Sequence, residues 1–465
     1  LAAKIMTEGS PWKHILRFAL PVFAGNLLQQ LYNTADTIIV GNYAAKGSLP
    51  AVGTTGSFIF FFLAIAIGFS AGNGVVIAQH YGAGDTEGVR KNASTGILFL
   101  MVLGGICAAA GILLAYPAFK YLLDVSDDLL DMTLSYFRIY SVGLIFQFGY
   151  NIFSSILRAV GDSAATLYFL LISSVINIGL DMLFVAVFKW GVVGAAVATV
   201  ISQLVSFIAA YIYMIKKYPV FRFKLRELEW NGRRILKTVS VGMPIVIQLV
   251  IVSFGLIFIQ RAVNGFGEAM TSSFTVGQRI EMYLNLPCNA FQTTLATYTG
   301  QNIGAGKLDR VRKGVRQTVL ISVVMTALIG VAVWIFAVDI INFFNIEPEA
   351  LAYCRDHVRT IAVINVILSV YIPLFGVYQG TNHSIIPTCV ATCALSLRVA
   401  VTYLFRNNPA FFGHTIIWWN GLFGFGVGCM ITWGYYLSKR WQKNSVIDKA
   451  MSVSADHEDD ALREE

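Results

Sequence analysis

Charge is scarce in this chain. Lys, Arg, Asp and Glu make up 13% of its 465 residues and hydrophobic residues 56%, whereas soluble proteins carry about a quarter charged residues. That scarcity excludes an ordinary soluble domain, and a mean hydropathy of +0.66 agrees. The six cysteines, at 107, 288, 354, 389, 393 and 429, show no CxxC or Cys/His spacing. This excludes a disulfide framework or soft-metal site and leaves them as small packing residues. HExxH, a catalytically spaced Asp pair, a dinucleotide fingerprint and a Walker A loop are all missing. Neither an intramembrane enzyme nor an ATP-driven pump is therefore expected. No cleavable signal peptide is read either: the chain opens polar and then enters a long helix. A start at Leu1 is expected to reflect a trimmed N-terminus.

What the sequence has instead is apolar runs along nearly its whole length. A bilayer-spanning helix needs roughly 20 mostly apolar residues, and lipid admits only helices or closed barrels. The runs are continuous and not alternating, so helices are expected. Twelve are read, at about 15–42, 51–79, 94–117, 132–157, 164–188, 191–215, 238–263, 271–299, 316–344, 356–380, 385–406 and 415–437. The expected fold is an all-α membrane protein of twelve transmembrane helices in two six-helix lobes. The N-lobe covers 1–215, a cytoplasmic linker 216–237, the C-lobe 238–440 and a polar cytoplasmic tail 441–465, read as disordered.

With the N-terminus in the cytoplasm, 24 of the 34 Lys and Arg fall in inside segments. The outside loops hold five: Lys46, Lys120, Lys189, Arg261 and Arg406. The positive-inside rule then places both termini in the cytoplasm. The net charge of +8 reflects this asymmetry, so no nucleic-acid partner is expected.

One phrase occurs twice. "AQHYGAGDTEGVRK" (78–91) and "GQNIGAGKLDRVRK" (300–313) align without a gap at an offset of 222, with seven identities in fourteen positions. Each follows the second helix of a half. Glycines there permit a tight turn, and Arg-Lys obeys the charge rule. The duplication itself says more. Six helices per half give both halves one orientation, hence a parallel repeat of the kind common in secondary transporters.

These motifs resemble the multidrug and toxic compound extrusion (MATE) family. "RFALPVFAGNLLQQLYNTADTIIVGNY" (17–43) resembles its first helix, and "NIGLDMLFV" (177–185) its fifth. "ILRAVGDSAAT" (156–166) and "VYQGTNHSIIP" (377–387) resemble two of its connections, and the resemblance spans about 10–440. It implies a bacterial inner-membrane exporter that exchanges drugs for Na⁺ or H⁺. It also implies that a bend at Pro21 changes with protonation of Asp36.

Ionisable residues deep in a span are costly and mark function by default. Here they are Asp36, Asp181, Glu281, Arg138, Arg279 and Arg398, with Arg355 and Arg359 nearer an end. Asp36 can hold a proton or offer hard oxygens to Na⁺; the structural alternative is pairing with a buried Arg. Tyr32 lies one turn earlier, on the same side. Asn177 and Asp181, four apart, share a face, and Thr199 on the next helix can approach them. An amide, a hydroxyl and two carboxylates suit Na⁺ or H⁺ and not a soft metal. Asp36, Asn177, Asp181 and Thr199 also match the residues of the family's N-lobe cation site. The alternative is an interhelical network that only joins helices.

At an offset of 221–222, Asn177 lands on Arg398, Asp181 on Thr402 and Asp36 on Phe258. The C-lobe thus lacks the oxygen set, and Arg398 is read as a fixed stand-in for the cation. "VIQLVIVSFGLIFIQ" (246–260) holds no acid, unlike family members with one on the seventh helix. Glu281 either binds a cationic substrate or neutralises Arg279 or Arg398. Met282, Tyr283, Phe291 and Tyr298 are read as its surroundings, suited to flat cations or simply facing lipid. Tyr32, Tyr136, Glu281, Met282 and Arg398 form the substrate-binding expectation. The expected partners are small organic cations and the bilayer, with a functional monomer and no cofactor beyond the coupling ion. The rival is a lipid-linked sugar or lipid flippase of the same superfamily, kept open by Arg398 and Arg279.

Overall fold

The computed structural model describes residues 5–45, 47–344, 346–407 and 415–442. The N-terminal half holds α1 (Pro11–Tyr43), α2 (Ser48–Gly82), α3 (Thr86–Pro117), α4 (Asp127–Ala159), α5 (Ser163–Asp181) and α6 (Gly191–Lys217). The C-terminal half holds α7 (Gly232–Asn264), α8 (Glu268–Gly304), α9 (Leu308–Ile335), the short α10 (Ala337–Asn342), α11 (Pro348–Gly380), α12 (Ile385–Phe405) and α13 (Ile416–Leu437). Twelve long helices are therefore present among the described residues, as the apolar runs imply.

Several begin earlier than apolarity indicates. α3 starts at Thr86 and not near 94, α9 at Leu308 and not near 316, and α11 at Pro348 and not near 356. Hydropathy marks where lipid touches the chain, whereas the helix continues until its end groups find partners. For α3 that partner is Asp85, whose carboxylate accepts from the Gly88 amide at 2.8 Å. The run expected at 316–344 breaks at Phe336, leaving α10 as a separate turn.

Ten of the long helices are apolar enough to cross a bilayer by composition alone; α1 and α8 are not among them. α8 carries Arg279, Glu281, Asn285, Asn289 and Gln292 along its length. Such polarity is tolerated in a span that faces protein or a cavity.

The chain divides into two compact units. One is built on Leu20–Val246, the other on Met6–Ala19 with the chain from Ile247 on. The division falls inside α1 and inside α7, next to Pro21 and Pro244. Proline removes one helical hydrogen bond and is the usual place for a helix to bend. In the first unit, Ile39, Val40, Tyr136, Val185, Val192, Ala195 and Ala196 form a buried cluster. In the second, Ile259, Val263, Phe274, Leu395, Ile417 and Trp418 do so.

Both copies of the duplicated phrase make tight turns, with Gly84 at φ 76° and Gly306 at φ 69°. That left-handed conformation favours glycine. Lys46 lies outside the described residues, as does the tail from 443 on. Trp441, counted with the tail by its sequence, is buried in a 3₁₀ turn, Arg440–Gln442. All six cysteines are free; Cys107, Cys288 and Cys354 are buried, while Cys389 and Cys393 are exposed.

Candidate functional site

The first unit gathers its polar residues at one place. Asp36 on α1 and Asp181 at the end of α5 have adjacent carboxyls. Asp181 is fully buried, Asn177 is 1% exposed and Thr199 4% exposed. The 3.6-residue period puts Asn177 one turn before Asp181 on the same face. Just past Asp181 the helix widens into a π segment, Met182–Val187, a departure from α geometry frequent at functional sites. Tyr32 reaches Thr199 from α1, and Tyr140 reaches Gln203 from α4. Tyr136 sits against both carboxylates and stacks on Tyr140 with ring centroids 6.2 Å apart.

The unusual feature is what these atoms lack. Asp36 Oδ1, both Asp181 carboxyl oxygens, and Asn177 Oδ1 and Nδ2 are buried with no hydrogen-bond partner among the described residues. Buried polar groups are nearly always partnered, and an unpartnered one costs about 1–3 kcal/mol. Four such oxygens around one point call for a proton, a hard cation or a polar ligand. Thr199 donates to the Ala195 carbonyl at 3.0 Å and meets the Tyr32 hydroxyl, which leaves one of its two lone pairs to join them. Among the described residues no Arg or Lys pairs with either aspartate. The structural alternative for Asp36, a buried arginine partner, is thus not the arrangement found.

The second unit is built differently at matching positions. Arg398 donates from Nε to Asn420 Oδ1 at 2.8 Å and lies 4.9 Å over the Phe425 ring. Glu281, His357, Asn365, Arg398, Trp418 and Phe425 line one narrow cleft. Glu281 shares it with Arg398 yet makes no ion pair within 4.0 Å among the described residues. His357 is buried between Phe274 (centroids 5.5 Å apart) and Trp418 (4.3 Å), stacked on both.

The remaining expected residues scatter. Met282 is 49% exposed and does not line the cleft. Tyr298 is not beside Glu281: its hydroxyl donates to the Arg310 carbonyl at 3.0 Å. Seventeen residues of helix separate them, about 25 Å at 1.5 Å per residue. Arg138 and Arg279 are exposed, Arg355 pairs with Asp356 at 3.2 Å, and Arg359 stacks on Trp334 at 4.7 Å.

Tyr140, Gln203, His357, Asn365 and Asn420 were not singled out by the sequence reading. The repeat could have found His357, which lies 221 residues after Tyr136. It could also have matched Pro244 with Pro21, an offset of 223 that places Ile259, fully buried, at the position of Asp36. In that register too the second unit has no first-helix carboxylate.

Comparison with known proteins agrees with this architecture. The MatE family model matches residues 21–183 and 244–404, one segment per half. "Probable multidrug resistance protein YpnP" of Bacillus subtilis is 28% identical over 377 residues, covering 81% of this chain and 84% of the relative. A crystal structure of MATE in complex with MaL6 superposes with a TM-score of 0.88 at 23% identity, covering 94% of this chain and 99% of that one. A superfamily transporter from Pyrococcus furiosus also gives 0.88 at 23% identity, over 96% of this chain and 100% of the other. That transporter has been described as having a binding pocket of reverse polarity, suggesting a different function.

Proposed function

Because the chain belongs to the MatE family, a family of multi-pass membrane transporters, we propose that it is a secondary antiporter. It exports organic cations and drugs in exchange for Na⁺ or H⁺ by alternating access. The observation that carries this reading is the set of unpartnered buried oxygens on Asp36, Asn177 and Asp181. An all-oxygen set suits H⁺ or Na⁺, either of which would be cargo of the cycle and not a resident metal. Asp36, Asn177, Asp181 and Thr199 take the coupling ion. Tyr32 and Tyr136 offer ring faces to a cationic substrate nearby. Ion binding drives export only if the ion binds the two states of the protein with unequal affinity. Pro21, beside the point where α1 passes between units, is where that difference acts. Names of relatives such as the multidrug resistance protein above support the drug substrate class.

The same reading places the chain in the bacterial cytoplasmic membrane, termini inside, working as a monomer on small organic cations, without nucleic acid and without a cofactor beyond the coupling ion. A second reading, a flippase for lipid-linked sugars, is favoured by one observation: Arg398 shares a cleft with Glu281 without an ion pair, leaving a cationic group for a phosphate.

The deciding experiment uses the full chain in liposomes and a fluorescent lipophilic cation. A Na⁺ gradient is compared with a pH gradient, in wild type and in Asp36→Asn. Gradient-driven uptake that the substitution abolishes supports the antiporter and names the ion. No uptake under either gradient, with folded protein, favours the flippase.

A further inference from the structure

The cytoplasmic ends of the two units carry matching cations with different partners. In the first unit, Arg90 donates to Glu227 Oε2 at 2.7 Å, and Glu227 sits in the segment that follows α6. Ser94 Oγ donates to the Glu227 carbonyl at 2.9 Å and accepts from the Glu229 amide at 3.0 Å. Trp230 of the same segment meets Phe99 on α3, with centroids 6.4 Å apart. Lys217, at the end of α6, pairs with Asp162 at 2.7 Å. The segment covers this face near Arg90, and Arg90 and Lys217 are each paired with an acid.

The second unit keeps the cations and loses the acids. Arg90 matches Arg312, Ser94 matches Arg316 and Lys217 matches Lys439, each at an offset of 222. Asp162, the partner of Lys217, is replaced at an offset of 221 by His383, which faces the Thr381 carbonyl at 2.8 Å. Arg316 and Lys439 are exposed and have no ion pair among the described residues; Arg312 pairs with Asp309, on its own helix, at 3.2 Å and donates to Gln442 Oε1 at 3.1 Å. These three cations edge an apolar groove between α9 and α13. Its wall is Val315, Val319, Leu320 and Val323 on one side and Trp433, Tyr436 and Leu437 on the other. Leu320 is 64% and Leu437 70% exposed, which in a membrane span means contact with acyl chains. Trp441 stacks on Tyr436 with centroids 5.2 Å apart and closes the cytoplasmic end.

We propose that this groove binds one anionic glycerophospholipid of the cytoplasmic leaflet. Its phosphate is held by Arg312, Arg316 and Lys439, and one acyl chain lies along the α9 wall. Charge complementarity chooses the occupant. Three cations, two of which have acid partners at the matching places of the first unit, sit at the end of an apolar channel where headgroup phosphates lie. Arginine suits phosphate through its forked donors. The apolar wall commits the site to a lipid and not to free phosphate.

The test uses the full chain in detergent, loaded with phosphatidylglycerol or phosphatidylcholine and read by native mass spectrometry. Wild type is expected to retain one phosphatidylglycerol more firmly than phosphatidylcholine. Arg312→Gln with Arg316→Gln and Lys439→Gln should reduce that retention by about fivefold per removed charge, leaving phosphatidylcholine unchanged. Leu320→Trp, which fills the groove and keeps the charges, should also reduce it, with helicity by circular dichroism as the folding control. Millimolar inorganic phosphate should not displace the lipid. Equal retention of both lipids by wild type and the charge variant overturns the proposal. So does retention that emerges only when Asp456, Glu458, Asp459 and Asp460 are changed to Ser, because the acidic tail would then be the occupant.

Discussion

The two units answer the same packing problem with opposite chemistry. In the first, Asp36 and Asp181 come together with Asn177 and Thr199, and Asp36 Oδ1, both Asp181 carboxyl oxygens and Asn177 Oδ1 have no hydrogen-bond partner among the described residues. In the second, Ile259 takes the first-helix position, Arg398 replaces Asn177 and His357 replaces Tyr136, stacked between two rings. The helical framework repeats in both units, while the side chains at these matching positions differ in charge and polarity. Helix contacts show the same exchange. Ser155 on α4 donates to the Ser70 carbonyl on α2 at 2.6 Å. At matching places, Gly376 on α11 approaches the Gln292 carbonyl on α8 so closely that a Cβ would collide with it. A hydrogen bond in one unit corresponds to a backbone contact in the other.

The comparison breaks most visibly at the carboxylates. Asp181→Asn should lower gradient-driven uptake by about 5- to 150-fold, the usual range of coupling between sites. Arg398→Gln should keep the ion dependence and change only the apparent affinity for substrate. Initial rates in proteoliposomes at several ion gradients separate the two. If Arg398→Gln also erased the gradient dependence, coupling would not reside in the first unit alone.

Gly376→Ser sharpens the packing half of the contrast. Overpacking at a close helix contact costs about 1–3 kcal/mol, so its melting temperature in detergent should fall well below that of Ser155→Gly. Loss of the Ser155 hydrogen bond removes about 1 kcal/mol. Equal shifts would mean that α8 and α11 can move apart freely.

What the sequence made legible follows from where physics leaves strong patterns. The apolar runs and the repeated "GAG" turn are legible because lipid demands apolar helices and a left-handed turn favours glycine, and both are found in the structure. Helix ends were misplaced because caps such as Asp85 extend helices into water. Tyr298 was misassigned because nearness in sequence was taken for nearness in space along a rigid helix. His357 was missed because a lone histidine among apolar residues has no periodic signature. It stands out only when the second half is laid on the first.

A smaller effect is expected at the loop between α4 and α5. Asp162 accepts from Tyr213, Lys217 and Tyr218. Burial pushes its carboxyl up, but the hydrogen bonds from Lys217, Tyr218 and Tyr213 outweigh that and hold it below its ordinary value. Its contribution is therefore full above about pH 4, the unfolded value. It is lost as pH falls through the lower folded value. Asp162→Asn should cost roughly 1–3 kcal/mol at neutral pH, and the gap from wild type should close in melting curves taken below pH 4. The matching His383→Asn should produce no such closing gap.

The finest contrast lies in the two copies of the repeated phrase. The first copy has Gly88 where the second has Arg310, and Arg310 binds backbone. It donates to the carbonyls of Gly9 at 2.9 Å, Met6 at 3.1 Å and Glu8 at 3.0 Å, and to Asn302 Oδ1 at 3.1 Å. Lys307 adds a bond to the Thr7 carbonyl at 3.1 Å, and the Met6 amide donates to Gln301 Oε1 at 2.9 Å. The second copy thus holds the segment that leads into α1, while Arg90 in the first copy holds the segment that leads into α7. Arg310→Ala should free residues 6–9 without unfolding α8 or α9, because Asn302 still bonds the Tyr298 carbonyl at 2.8 Å. Amide hydrogen exchange at Met6 should then quicken by about tenfold, the equivalent of one or two hydrogen bonds, with exchange in the first unit unchanged. Unaltered exchange at Met6 would show that Gln301 and Lys307 hold the segment without the arginine.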